Sequence, residues 1–228
     1  MKKLITIFLL HLVASGVVAQ NDCGKYYPFS EGAKFQITTY DKKDRVSGVI
    51  DYTVLDIKNV GSDKIGTVNA IISDDRGKEI VQTSYNVICG GNKIAIEGKS
   101  LMNPQIFQQF GNMEYTINGT DVEWPNTLAM GQTLKDANMD MKIDMGGIKM
   151  HMEMAMTERK VMGTETVTTP AGTFECFVIT YIMDLKMGMK EQSTAKQWIA
   201  EKVGMVKSEN YDKKGNVIST SLLTKFSN

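Results

Sequence analysis

From Met139 to Met156 the chain reads Met-Asp-Met-Lys-Ile-Asp-Met-Gly-Gly-Ile-Lys-Met-His-Met-Glu-Met-Ala-Met. Before Gly146 every odd position is Met or Ile, and after Gly147 every even position is. Strict apolar/polar alternation is the period of a half-buried strand. Gly-Gly accepts positive φ at both central positions of a two-residue type I′ turn. Such a turn sets Met145 against Ile148, Ile143 against Met150, Met141 against Met152 and Met139 against Met154. All eight side chains then share one face, while Asp144 meets Lys149, Lys142 meets His151 and Asp140 meets Glu153 on the other. The stretch is a β-hairpin with a methionine face, and it sets the expectation of an all-β protein.

Around it the chain is polar-balanced and exported in character. Met1-Lys2-Lys3, an apolar run from Leu4 to Val13 and small residues to Ala19 read as a secretory signal, cut after Ala19. Ten or so apolar residues are too few for a membrane span, and no later run is long enough. Cys23 invites a lipoprotein reading, but Asn21 and Asp22 stand where lipidation needs small residues. Residues 20–228 suit one β domain. Loss of Lys2 and Lys3 with the signal leaves 24 basic against 26 acidic residues, a net charge of −2. That balance, without a basic patch interleaved with aromatics, argues against nucleic acid as a partner. An oxidising compartment permits a disulfide, and Cys23 with Cys89, beside Gly90-Gly91, is the expected pair. It would close a loop of about 66 residues worth roughly 4 kcal/mol in the chain-entropy model. Cys176, inside an apolar run, reads as a buried inert thiol.

The remaining strands are predicted at Lys34–Tyr40, Val46–Ile57, Lys64–Ser73, Glu79–Cys89 and Lys93–Glu97, separated by Asp, Asn and Gly turns. Asn103-Pro104 should open the one short helix, with Ile106, Phe107 and Phe110 on its apolar side. Two short strands are expected around Asn118-Gly119 up to Trp124-Pro125, then an irregular stretch from Leu128 to Ala137. After the hairpin, Glu158–Thr169 turns at Thr169-Pro170-Ala171-Gly172-Thr173 into Phe174–Met183, which is apolar on both parities and should be covered on both faces. Strands through Met189, Lys196–Ala200, Val203–Tyr211 and Val217–Phe226 complete the chain. Tyr40-Asp41-Lys42-Lys43 recurs as Tyr211-Asp212-Lys213-Lys214, which reads as two similar hairpin tips.

Catalytic chemistry is sparse. His151 is the one histidine beyond the signal, on the polar hairpin face beside Lys142, and multi-histidine metal sites are excluded. The chain has no nucleophile elbow, phosphate loop, dinucleotide fingerprint or Cys-x-x-Cys. Neither an enzyme nor a cofactor is expected, and no catalytic or metal residue is assigned. Methionine is the informative feature: the chain has 16, and seven fall in this hairpin. A dry β core accounts for them structurally, although such cores favour residues with fixed rotamers over flexible Met. A lipid or other hydrophobic small molecule would be bound by Met139, Met141, Ile143, Met145, Ile148, Met150, Met152 and Met154, since Met surfaces adapt to varied shapes. Cu(I) on Met-x-Met thioethers is the third reading. The reading adopted is a non-enzymatic binding module with a hydrophobic ligand. A structural β domain, open to an envelope protein partner, is the alternative.

Residues Glu165–Cys176 (Glu-Thr-Val-Thr-Thr-Pro-Ala-Gly-Thr-Phe-Glu-Cys), Trp198, Val203–Glu209, Tyr211–Gly215, Trp124-Pro125 and Met130–Leu134 together resemble the TapB-like group of exported bacterial β proteins of unknown function. The likeness covers most of the chain beyond the signal. It implies a strongly curved antiparallel sheet or incomplete barrel built of hairpins, and it brings no activity or catalytic residue. By analogy of fold alone, some exported curved sheets hold lipid on the concave face.

Overall fold

The computed structural model describes residues 24–101, 114–145 and 148–228. The described strands are β1 (Lys34–Asp41), β2 (Val46–Val60), β3 (Asp63–Ser73), β4 (Glu79–Gly90), β5 (Lys93–Ile96), β6 (Glu114–Gly119) and β7 (Val122–Pro125). They continue as β8 (Ala137–Met145), β9 (Ile148–Thr169), β10 (Gly172–Met187), β11 (Met189–Ala200), β12 (Gly204–Tyr211) and β13 (Val217–Ser227). All thirteen form one antiparallel sheet in the order β6-β8-β9-β10-β11-β12-β13-β1-β2-β3-β4-β5-β7. The only helical element among the described residues is a 3₁₀ turn at Gly98–Leu101.

The methionine hairpin has the expected register: Met145 faces Ile148, Ile143 faces Met150, Met141 faces Met152 and Met139 faces Met154. Gly146-Gly147 lies outside the described residues, as do the signal, Cys23 and the helix expected from Asn103.

The two edges of this sheet are neighbours in sequence. Strand β6 ends at Gly119 and β7 starts at Val122, three peptide steps that reach at most ~11 Å. Laid flat, thirteen strands spaced ~4.8 Å apart would part those edges by roughly 57 Å. The sheet therefore curls until its edges nearly meet, giving the incomplete barrel. This corrects one expectation: β6 and β7 do not pair across a turn at Asn118-Gly119. Instead Gly119 closes β6 against the facing strand, where a Cβ would overlap the carbonyl oxygen of Asn138. The residue is glycine because the backbones approach that closely.

Strand β9 changes face along its length. Met152, Met154 and Met156 point inward at even positions, but beyond a register shift at Thr157–Lys160 the buried positions are Arg159 and Val161. Glu158 takes φ of 54° within that shift, a left-handed conformation that one class of β-bulge uses. The irregular segment before β8 then lies along the bulge: Leu134 donates to the Arg159 carbonyl, Val161 to Gln132 and Gly131 to Val161.

Three hairpin tips share one design. Asp41, Asp74 and Asp212 each accept backbone hydrogen bonds from residues two and four ahead. The residue three ahead is left-handed in each, at Asp44, Gly77 and Gly215. Asx caps of this kind compete with strand pairing and so end it. The echo of Tyr40–Lys43 in Tyr211–Lys214 is thus a repeated turn. The Arg45 side chain and the turn's backbone amides hold the Asp41 carboxyl down to about 2.

Candidate functional site

The concave side of the sheet carries the main apolar cluster, including Val54, Val68, Val87, Ile94, Val161, Ile179 and Ile199. Its amino-terminal lid is Tyr26-Tyr27-Pro28. These residues precede the first strand, and both tyrosines are buried. Backbone bonds fix the segment: Lys202 donates to the Lys25 carbonyl, and Lys25 donates to the Asn126 side chain.

Beneath this segment is a cavity of about 170 Å³. Four rings from separate elements make its aromatic wall. Phe35 of β1 stacks on its cross-strand partner Tyr52 of β2 at 4.6 Å, Tyr27 meets Phe35 edge-on, and Tyr52 meets Tyr85 of β4 edge-on. Trp124 of β7 and Met156 of β9 also line it. The Tyr27 and Tyr85 hydroxyls pair at 3.0 Å. Burial raises the pKa of Tyr27, Tyr52 and Tyr85 above the ordinary phenol value, so all three are neutral donors at physiological pH. Among the described residues that line it, none is charged. Gln197 of β11 stands on this inner face between Ala195 and Ile199, and its Oε1 is buried and accepts no hydrogen bond from the described residues.

Arg159 sits where β9, β7 and the segment before β8 converge. It is completely buried. Its guanidinium donates to the carbonyls of Lys135 (2.6 Å) and Glu123 (3.2 Å) and lies 4.5 Å from the centre of the Trp124 ring. Among the described residues no carboxylate pairs with it, and its Nε has no acceptor. Burial lowers its pKa to about 10, with Tyr181, Asp136 and Glu123 opposing that fall, so it stays charged at neutral pH. The arginine clasps the β7 edge to β9 and the segment before β8, and lies against Trp124, which lines the cavity. Sequence periodicity concealed it, because without the bulge position 159 falls on the outer face.

The methionine face lies beside the cavity. Met139, Met141, Ile143, Met152 and Met154 form one cluster at 1–7 % exposure, packed with Ile117, Met150, Met183 and Leu185. Met183 also touches the main cluster, which joins the two. At such low exposure no water-sized space adjoins Met139, Met141, Ile143 or Met152. The side chains of Met145 and Ile148 lie outside what the structure describes.

On the reverse of the hairpin His151 bonds Asp140, with Glu153 at 3.5 Å and Lys186 pairing Glu153 at 2.8 Å. All four side chains are exposed, as a solvated charged face requires. Among the described residues no group of three or more His, Cys, Asp or Glu could hold a metal ion. The outer face of β10 and β11 holds a third buried cluster around Cys176, Val178 and Trp198, so β10 is covered on both sides. The Trp198 indole donates to Glu165 at 2.7 Å, with Lys196 and Lys207 over its ring. Cys176 is free and buried, and burial pushes its thiol up to about 11. Cys89 is disulfide-bonded, while its expected partner Cys23 lies outside the described residues. No helix among the described residues is long and apolar enough to cross a membrane.

Two solved structures share this curved sheet. A Bacteroides fragilis protein provisionally assigned as exported, with a YmcC-like fold, matches with a TM-score of 0.77 at 22 % identity over 90 % of this chain and 100 % of its own. A Parabacteroides distasonis protein provisionally assigned as a lipoprotein matches at 0.73 and 22 % identity over the same shares. At that identity the likeness is one of fold, and these assignments agree with the export expected from the amino terminus. No curated protein matches the chain. The DUF3108-like family model spans residues 30–223, from just before β1 into β13, and the chain belongs to the DUF3108-like family.

Proposed function

We propose that this chain is an exported protein of the periplasm or cell envelope that binds a hydrophobic small molecule, a lipid chain end among them, without catalysis. The observation that carries this reading is the aromatic cavity. A void near 150 Å³ accommodates a benzene-sized guest, so about 170 Å³ suits one ring or a short acyl segment. The methionine face (Met139, Met141, Ile143, Met145, Ile148, Met150, Met152 and Met154) is in this proposal the deformable flank of the site. Met156 lines the cavity and Met183 links the two clusters, and unbranched thioethers repack readily. The narrower TapB-like kinship, the cut after Ala19 and a single β domain over residues 20–228 belong to the same reading.

Native mass spectrometry of protein purified from its own envelope is expected to show an apolar adduct. Ile199→Phe, which fills the cavity from β11, should reduce it at least tenfold. Adduct-free wild type, or an equal adduct on the filled variant, removes the proposal.

The bridge is proposed as Cys23–Cys89. Peptide mapping without reductant should return these two together, with Cys176 alkylated only after unfolding. Recovery of Cys23 as a free thiol from exported protein would refute the pairing.

A further inference from the structure

We propose that the cavity takes a neutral ligand whose buried end carries a hydrogen-bond acceptor, an ester or ketone oxygen rather than a bare hydrocarbon or a carboxylate, and that Tyr52 donates to it; this deepens the binding reading above and rests on it. Tyr27, Tyr52 and Tyr85 all line the cavity. Tyr27 and Tyr85 use one O–H proton in their mutual bond, so the hydroxyl that accepts there keeps its own proton without an acceptor among the described residues. Tyr52 stacks on Phe35 and meets Tyr85 edge-on, but its hydroxyl bonds no described residue and keeps some accessible surface. An ionised Tyr52 would be felt at both other phenols, which puts the three hydroxyls in one neighbourhood. Ser100 adds a further hydroxyl to the same wall.

The fold alone does not require a hydroxyl at position 52. Ile50 and Val54, two places to either side on β2, are apolar members of the main cluster, and phenylalanine would keep the stacking on Phe35. A guest that fills the cavity displaces the water these hydroxyls would otherwise bond, and one without an acceptor leaves their protons unmet. A phenol donates more strongly than it accepts, because its ring draws on the oxygen lone pair, so the wall favours an acceptor on the guest. Among the described lining residues there is no lysine, arginine or histidine, so a carboxylate would lose its hydration without a countercharge. Arg159 does not supply that charge, since its donors face the Lys135 and Glu123 carbonyls.

Acetophenone and isopropylbenzene match in heavy atoms and nearly in shape, and only the first carries an acceptor. Toluene is a smaller hydrocarbon and benzoate an anion of similar size; calorimetry or ligand-observed NMR reads all four affinities. Wild type is expected to bind acetophenone at least as tightly as isopropylbenzene, although only the ketone gives up hydration on entry, and benzoate at least about tenfold more weakly than acetophenone. Tyr52→Phe should weaken acetophenone roughly fivefold, the worth of one net hydrogen bond, and leave both hydrocarbons within about twofold. Its urea midpoint should stay at or above that of wild type, since the lost hydroxyl has no partner in the fold. Isopropylbenzene bound more tightly than acetophenone by wild type, benzoate bound as well as acetophenone, an unchanged acetophenone affinity or equal losses for all probes in the variant, or a lowered midpoint overturns the inference while leaving the cavity a binding site. Failure of wild type to bind any of the three neutral probes overturns the cavity reading, and the inference with it.

Discussion

Replacing Arg159 with alanine is expected to cost the fold ~3–5 kcal/mol, read as a fall in the urea midpoint at unchanged slope. Three effects decide the size. Truncation leaves the Lys135 and Glu123 carbonyls without their donor, at ~1–3 kcal/mol for each that stays buried. It also opens a void beside Trp124 that the surrounding strands fill only in part. Against these stands a gain, because the charge was desolvated with no carboxylate opposite it, and such burial is costly. Arg159→Met separates the terms. It restores most of the volume but neither hydrogen bond, so it should lose about 1–3 kcal/mol, less than the alanine variant. A methionine variant as stable as wild type would mean that the cost of burying the charge cancels the clasp. Backbone amides of β7, the edge strand held through Glu123, should lose exchange protection before those of central strands such as β3.

The second large effect falls on the methionine face. Met141→Ala and Met152→Ala are each expected to lose ~2–5 kcal/mol, since both side chains are packed on every side and the site cannot collapse around the missing atoms. They are cross-strand partners, so the double variant should fall short of the sum. Met189, at 79 % exposure on the β10–β11 tip, has the same Met-x-Met spacing and should change stability by less than ~0.5 kcal/mol as alanine. Losses below ~1 kcal/mol at Met141 and Met152 would mean the face already adjoins open space and forms the floor of the site. Large losses together with retained probe binding place the site in the aromatic cavity, with the methionines as its flank. Tighter Cu(I) binding by wild type than by both variants, with no change for toluene, would instead support a thioether site.

Much of the strand plan was legible without coordinates. Period-two alternation, Asp and Gly turns and the parity switch at Gly146-Gly147 are local signals, and local hydrogen-bonding geometry converts them directly into hairpins. Pairing follows chain order from β1 through β5 and from β8 through β13, so neighbours in sequence are neighbours in the sheet. The double-sided burial of β10 was readable from its apolar run, and the inert Cys176 followed from the same residues.

What the sequence determined by itself was therefore the all-β class, the register of the methionine hairpin and the position of nearly every other strand, because each rests on residues a few places apart. Tertiary structure alone decided the rest. Gly119 and Val122 are three steps apart yet end and begin opposite edges of the sheet, a consequence of closing thirteen twisted strands that no local pattern encodes. Arg159 turns inward only because a bulge at Glu158 reverses the alternation. The cavity draws rings from the segment before β1 and from β1, β2, β4 and β7, residues that share no spacing and meet only when the sheet curls. Curvature is a property of the whole sheet, summed from the twist of every strand, and the concave site exists only at that level.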